Sequence, residues 1–144
     1  MSYWDSSALV KLYVQELDSS EFRALAEKAS RVVTGSLTRH EVRTVLWRRE
    51  AEGVLQGGEA AALYSELKAD IAADDIVIQP ETVDMEREFG AVLDKCFSQT
   101  PPTFIRTNDA LHLASAKVAG ELEFITGDAR QRTAALLMGF TVLP

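Results

Sequence analysis

The stretch MSYWDSSALVKLY, residues 1–13, decides how the rest of the chain reads. Tyr3 and Trp4 suit a short apolar strand, Asp5 interrupts it, and after Ser6 and Ser7 the composition turns to that of a helix rich in Ala and Leu. The same switch recurs in EFITGDARQRTAALLMG, residues 123–139, where Phe124 and Ile125 give way to Thr126, Gly127 and Asp128 before a second helical run. Two further acids hold comparable places, Glu41 in SLTRHEV (36–42) and Asp109 in NDALHLASA (108–116). In a parallel α/β sheet, all strand-to-helix turns of this kind lie at one edge, where ligands bind. Acids scattered along the chain are therefore expected to converge.

Working outward, the other strand candidates are 31–34, 76–79 and 140–143, with 3–4 and 123–126 at the two acid switches. Between them the helical period takes over. Phe22, Leu25, Ala26 and Ala29 mark one buried face, and Val42, Val45 and Leu46 a second. Leu63, Leu67 and Ile71 give a third, and Met85, Phe89, Val92, Leu93 and Cys96 a fourth, introduced by Pro80 and Thr82. Leu111, Ala114, Ser115 and Val118 predict a fifth face, small enough for close approach to a sheet. Strands buried on both faces and separated by helices predict a parallel, doubly covered sheet. Gly57-Gly58 reads as the turn of a helical hairpin and 98–106, with Pro101-Pro102, as a surface loop. The expectation is one α/β domain over 1–144, with a helical hairpin inserted near its middle.

The length of 144 residues suits one domain with a real core. A composition of 47% hydrophobic and 26% charged residues is that of an ordinary globular protein. The single cysteine, Cys96, excludes an internal disulfide framework and a cysteine-rich zinc site. MSYWDSS has neither the basic start nor the apolar run of a signal peptide, and no apolar run approaches the ~20 residues of a membrane span, so a cytoplasmic location is expected. The net charge of −7 counts mildly against a nucleic-acid partner. That objection weakens if the four acids bind a cation.

Each acid has a structural reading of its own. Asp5 and Asp128 can act as helix N-caps, accepting backbone N–H bonds at the positive end of the dipole. Thr38 and Glu41 have capping-box spacing. Asn108 can cap the helix that Asp109 begins, which leaves Asp109 spare, and His112 reads as a hydrogen-bonded packing residue. The set weighs against four simple caps, because carboxylates sharing one edge repel unless a cation holds them. Oxygen-only ligands select Mg²⁺ or Mn²⁺, and such a site polarises phosphate and acidifies a bound water. One metal or two would suit the pattern equally.

Other chemistries lack their residues. The chain has no GxSxG elbow, P-loop or GxGxxG fingerprint. In HEVRT, Thr44 stands where a zincin has its second histidine, and Ser7 occupies the position a phosphoaspartyl phosphatase gives to a second Asp. Arg39, Arg43, Arg48 and Arg49, with Lys11, Arg106, Arg130 and Arg132 near other acids, could grip a phosphodiester backbone. The first four equally suit a solvated helix face paired with Glu50 and Glu52.

Taken together, YWDSSALVKLY, the Glu of LTRHEV, RTNDALHLASA and FITGD resemble the motifs of the PIN-domain family, in that order and at usual separations. The overall pattern is similar to its VapC-type toxins, the ribonuclease halves of bacterial toxin–antitoxin pairs. The resemblance spans essentially the whole chain. It implies a Mg²⁺- or Mn²⁺-dependent endoribonuclease that acts on RNA, forms a homodimer and is inhibited by a cognate VapB-like antitoxin. It places the metal site on Asp5, Glu41, Asp109 and Asp128, with supporting polar roles for Ser7 and Thr126. Asn108 departs from the apolar residue often found before the third acid, and TGD replaces the commoner T-A-D while keeping both polar positions. Two alternatives stay open: a catalytically silent module that uses the same pocket for a partner's arginine, and a PIN nuclease of RNA processing.

Overall fold

Five short strands pair side by side, all parallel, in the computed structural model, which describes residues 1–144. They are β1 (Ser2–Trp4), β2 (Val32–Gly35), β3 (Ile76–Gln79), β4 (Glu123–Ile125) and β5 (Thr141–Leu143), in the order β3-β2-β1-β4-β5. Parallel neighbours cannot be joined by tight turns, so every connection crosses over through helix. α1 (Ser6–Tyr13) and α2 (Ser19–Lys28) join β1 to β2, and α3 (Thr38–Ala51) and α4 (Glu59–Ala72) join β2 to β3. α5 (Val83–Phe97) and α6 (Thr107–Ala119) lead to β4, and α7 (Ala129–Leu137) leads to β5.

Alternation along the strands splits the interior into two cores. Trp4, Val32 and Ile125 face α1–α4 and pack with Leu9, Phe22, Leu46 and Leu67. Their immediate neighbours Tyr3, Val33 and Phe124 face α5–α7 and pack with Val92, Cys96, Leu113 and Ala135. Tyr3 and Trp4 pair with Phe124 and Ile125 in register, so the central strands are buried on both sides. Burying each such aromatic or aliphatic side chain contributes about 1.5–3 kcal/mol before ordering costs are counted.

The predicted doubly covered parallel sheet is the one observed, and the strand at 76–79 has the predicted bounds. Other strand ends move by one residue. The helical hairpin forms from α3 and α4, and the Glu50 carboxylate accepts the Ala60 N–H at 2.9 Å to start its second arm. α6 departs from the single predicted stripe. Ala110, His112, Leu113, Ala114, Ser115 and Ala116 are all buried, whereas Leu111 and Val118 are only partly so. The helix packs on the sheet and against α5 at once, and a one-sided apolar face does not describe an element with two neighbours.

The chain runs outward from β1 to β2 and β3, then returns to the other side of β1 as β4. The order reverses between β1 and β4, and a crevice opens at their carboxyl ends, the usual ligand position in open α/β sheets.

Candidate active site at the carboxyl edge of the sheet

The residue that ends β1 stands over this reversal. Asp5 is only 4% exposed and caps α1 by accepting the Ala8 N–H at 2.9 Å. Its oxygens also accept from Ser7 Oγ at 2.7 Å and Thr126 Oγ1 at 2.5 Å. Those hydroxyls are themselves fixed, because Ser7 Oγ accepts the Gly127 N–H at 2.9 Å and Thr126 Oγ1 the Asp128 N–H at 3.0 Å. Ser7 and Thr126 thus tie the turn after β4 to the turn after β1. Burial pushes the Asp5 carboxyl above its ordinary range, against the opposing pull of His112 and these hydrogen bonds. Space at Gly127 is tight: a Cβ there would lie 2.8 Å from Lys11 Cε and would displace that side chain. Lys11 is held in place by Glu16 and Asp18, each at 2.7 Å.

The predicted caps at Asp5 and Asp128 both form. The Asp128 carboxylate accepts from the backbone of Arg130 at 2.7 Å and Gln131 at 3.2 Å. A capping role and a place in an acidic cluster therefore coexist in the same side chain. The capping box at Thr38 does not form. Leu37 is the N-cap of α3, and Thr38 instead contacts Thr34 Oγ1 at 2.6 Å. Glu41 is thereby free to point across to α6, where Oε2 lies 2.6 Å from His112 Nε2 and Oε1 accepts from Asn108 Nδ2 at 3.1 Å. Asn108 is likewise no cap, since α6 begins after Arg106.

His112 is buried between two partners, Glu41 and the Tyr3 hydroxyl, which lies 2.9 Å from Nδ1. An ionised carboxylate only accepts, so the hydrogen shared with Glu41 sits on Nε2. Burial alone would raise the Glu41 carboxyl, but the His112 hydrogen bond and charge, with Asn108, hold it below its ordinary range. The Tyr3–His112–Glu41 chain was not legible as a set, since its members lie on three separate elements. The only local signal was His112, three residues after Asp109 on the same helix.

Arg106 sits directly among the acids. It donates to Asp109 from Nε at 2.6 Å and from Nη2 at 3.2 Å, and reaches Asp128 at 3.4 Å. None of the α3 arginines lines this cleft. Arg49 pairs with Glu16 and Glu52, and Arg43 stacks over Trp47 and Tyr64. Arg132 bonds to the Pro144 carbonyl, and Lys11 is occupied as described.

The fold thus brings Asp5, Glu41, Asp109 and Asp128 to one cleft of about 350 Å³, lined also by Ser6, Ser7 and Asn108 and by no apolar residue. The four acids do not close into a single coordination shell. Asp5 is bound to hydroxyls, Glu41 to His112, and Asp109 and Asp128 to Arg106. The donor set nevertheless fits a hard cation, because it is oxygen-only and already holds a positive group between two of its members.

An open parallel sheet of order 3-2-1-4-5, with acids from the turns after β1 and β4 and from the first turns of α3 and α6 beside its reversal point, defines a class of α/β proteins with an acidic site at that edge. The family model described as PIN domain matches residues 2–137. The chain belongs to the PIN-domain family. It is 32% identical over 143 residues to Ribonuclease VapC46 of Mycobacterium tuberculosis (strain ATCC 25618 / H37Rv), covering 98% of this chain and 95% of that protein. Among solved structures, it is similar to Mycobacterium tuberculosis VapC20, described as a sarcin–ricin-loop-cleaving toxin, with a TM-score of 0.71, 20% identity and coverage of 98% and 97% of the two chains. It is also similar to FitAcB from Neisseria gonorrhoeae, with a TM-score of 0.71, 17% identity and coverage of 100% and 97%. No helix is long and apolar enough to cross a membrane.

Proposed function

We propose that this chain is a Mg²⁺- or Mn²⁺-dependent endoribonuclease, the toxin of a type II toxin–antitoxin pair, acting in the cytoplasm. The observation that carries the reading is the convergence of Asp5, Glu41, Asp109 and Asp128 in one cleft without apolar lining. The relatives add support, since one is named a ribonuclease and a protein of similar fold is described as a sarcin–ricin-loop-cleaving toxin. Asp5, Asp109 and Asp128 would hold the ion, with Ser7 and Thr126 fixing the orientation of Asp5. Bound there, a divalent cation would polarise the phosphate and acidify the attacking water. Glu41, held ionised and aimed by His112, would accept the proton of that water. RNA is the substrate, and a VapB-like antitoxin and a second copy of the chain are the expected protein partners.

Mn²⁺ is expected to support cleavage of RNA, and EDTA to abolish it. At about 100 times its Kd, Mn²⁺ should stabilise the fold by about 2.7 kcal/mol. Cleavage undiminished in EDTA would refute the metal-dependent reading. A fold that gains nothing from Mn²⁺ and cuts no RNA would be the silent binding module instead.

Arg106 supplies an independent check. A guanidinium bridging Asp109 and Asp128 competes with any cation for the same oxygens. Arg106→Gln is expected to tighten Mn²⁺ binding about 3–10-fold, the scale of losing one or two exposed ion pairs. Calorimetric titration measures this without reference to activity. Unchanged or weaker affinity would show that Arg106 is a surface pair unrelated to the metal.

A further inference from the structure

A second cavity, of about 180 Å³, opens at the same sheet edge on the β3 side of the acidic cleft. His112 lines both spaces, so they are separated by little more than one imidazole ring. Leu37, Met85 and Leu111, which lie far apart in the sequence, supply the apolar part of its walls, with Ser36 and His40 beside them. The floor is polar. Ser115 Oγ is buried there beside the Tyr3 phenol, whose hydroxyl is engaged by His112, and its one polar neighbour is that same hydroxyl, with which it makes no well-formed hydrogen bond. Buried hydroxyls are normally satisfied, and one left open beside a cavity is a place for a ligand's polar edge.

Gly35 leaves the space beside that buried floor unfilled. Its backbone is that of an ordinary strand, so conformation alone does not call for glycine. A Cβ there would stand 2.8 Å from Tyr3 Oη and 3.1 Å from Ser115 Oγ, closing the space over both hydroxyls. At the rim Arg39 offers donors and Glu81 acceptors. The volume is well below the ~300–1,000 Å³ of a site for a drug-sized ligand and suits a single flat ring system. Apolar walls, a polar floor and a charged rim are what an unstacked base needs, and single-stranded RNA is recognised largely through such splayed bases.

We propose that this cavity is a nucleobase subsite. With the scissile phosphate in the acidic cleft, the base of an adjoining nucleotide enters between Leu37, Met85 and Leu111, and its edge bonds to Ser115 Oγ. The inference rests on the ribonuclease reading for its substrate class, but its test does not depend on cleavage.

Calorimetry in Mn²⁺ would compare the four nucleoside 5′- and 3′-monophosphates with ribose 5-phosphate and inorganic phosphate, none of which has a diester to cut. At least one nucleotide is expected to bind about 10-fold tighter than ribose 5-phosphate, the scale of one buried hydrogen bond with apolar contact. Leu111→Trp, which fills the cavity from a partly exposed position, should remove that increment and leave ribose 5-phosphate binding unchanged. Ser115→Ala, which adds no bulk and serves if the larger variant does not fold, should reduce the increment about 3–10-fold. Nucleotides that bind no tighter than ribose 5-phosphate would overturn the proposal, as would an increment that survives in Ser115→Ala and in folded Leu111→Trp. An increment lost in the variants, in a protein that cuts no RNA, would support the subsite and overturn the ribonuclease reading alone.

Discussion

Asp5→Asn is expected to reduce RNA cleavage at least about 100-fold while raising the thermal midpoint of the metal-free protein by about 2–5 °C. The two effects have one cause. Asp5 is held where water scarcely reaches it, and burial pushes its carboxyl upward from the ordinary 3.8. A negative charge at that point is costly to the fold and valuable only to a cation. Asparagine keeps an oxygen for the Ala8 N–H and the Ser7 hydroxyl, and its amide can meet Thr126 Oγ1, so the local geometry survives. A stabilisation of about 1 kcal/mol is a modest expectation for removing an unpaired buried charge, and it corresponds to a midpoint shift of a few degrees.

The pH dependence has a definite sign. Since the folded-state value lies above the unfolded one, the stability linked to protonated Asp5 is fully present below pH 3.8 and is lost as pH rises through the folded value. Wild type and Asp5→Asn should therefore be equally stable in acid and diverge as pH increases. Cleavage retained at the wild-type rate would sink the catalytic assignment. A variant less stable than wild type at neutral pH would instead mean that the carboxylate is better solvated than its burial implies.

Asp5 also shows how much a sequence of this kind reveals. Its position after Tyr3-Trp4 was readable, because a strand buried on both faces is continuous in apolar residues and its end is marked by the first polar one. Asp128 was legible from the same strand end, marked there by Thr126 and Gly127 before it, and both acids proved to be caps and cleft residues together. The hairpin turn at Gly57-Gly58 and the period of α5 were local patterns, and local patterns are what periodicity detects. Glu41 was harder. Its spacing from Thr38 satisfies a capping box, but Thr34, four residues earlier on β2, takes the Thr38 hydroxyl, and spacing alone does not decide between the two partners. Arg106 is visible in the sequence as a charge near an acid, yet its reach to Asp128 crosses 22 positions. The cavity beside His112 was hidden for a similar reason, since its walls come from separate elements and its floor depends on a missing side chain at Gly35.

The second large effect is expected at Glu41, where the structural and catalytic readings diverge most clearly. Glu41→Gln should lower cleavage about 10²–10⁴-fold, the usual contribution of a positioned proton acceptor, and cost at most about 1.5 kcal/mol of stability. The amide oxygen of glutamine can still accept from His112 Nε2, and Asn108 can rotate its own amide to present an oxygen, so the contacts of 2.6 and 3.1 Å need not be lost. What disappears is the charge, which burial disfavours but which His112 and Asn108 stabilise, holding the carboxyl below its ordinary 4.5. A depressed folded-state value contributes stability that is present above pH 4.5 and lost as pH falls through the folded value. The stability gap between wild type and Glu41→Gln should accordingly close in acid, the reverse of the Asp5 pattern. If Glu41 served only to anchor His112, glutamine would do nearly as well, and cleavage would stay within a factor of a few of wild type. A large loss of cleavage with the fold and the pH-dependent stability gap as described would leave proton transfer, or placement of the ion that needs it, as the role of this side chain.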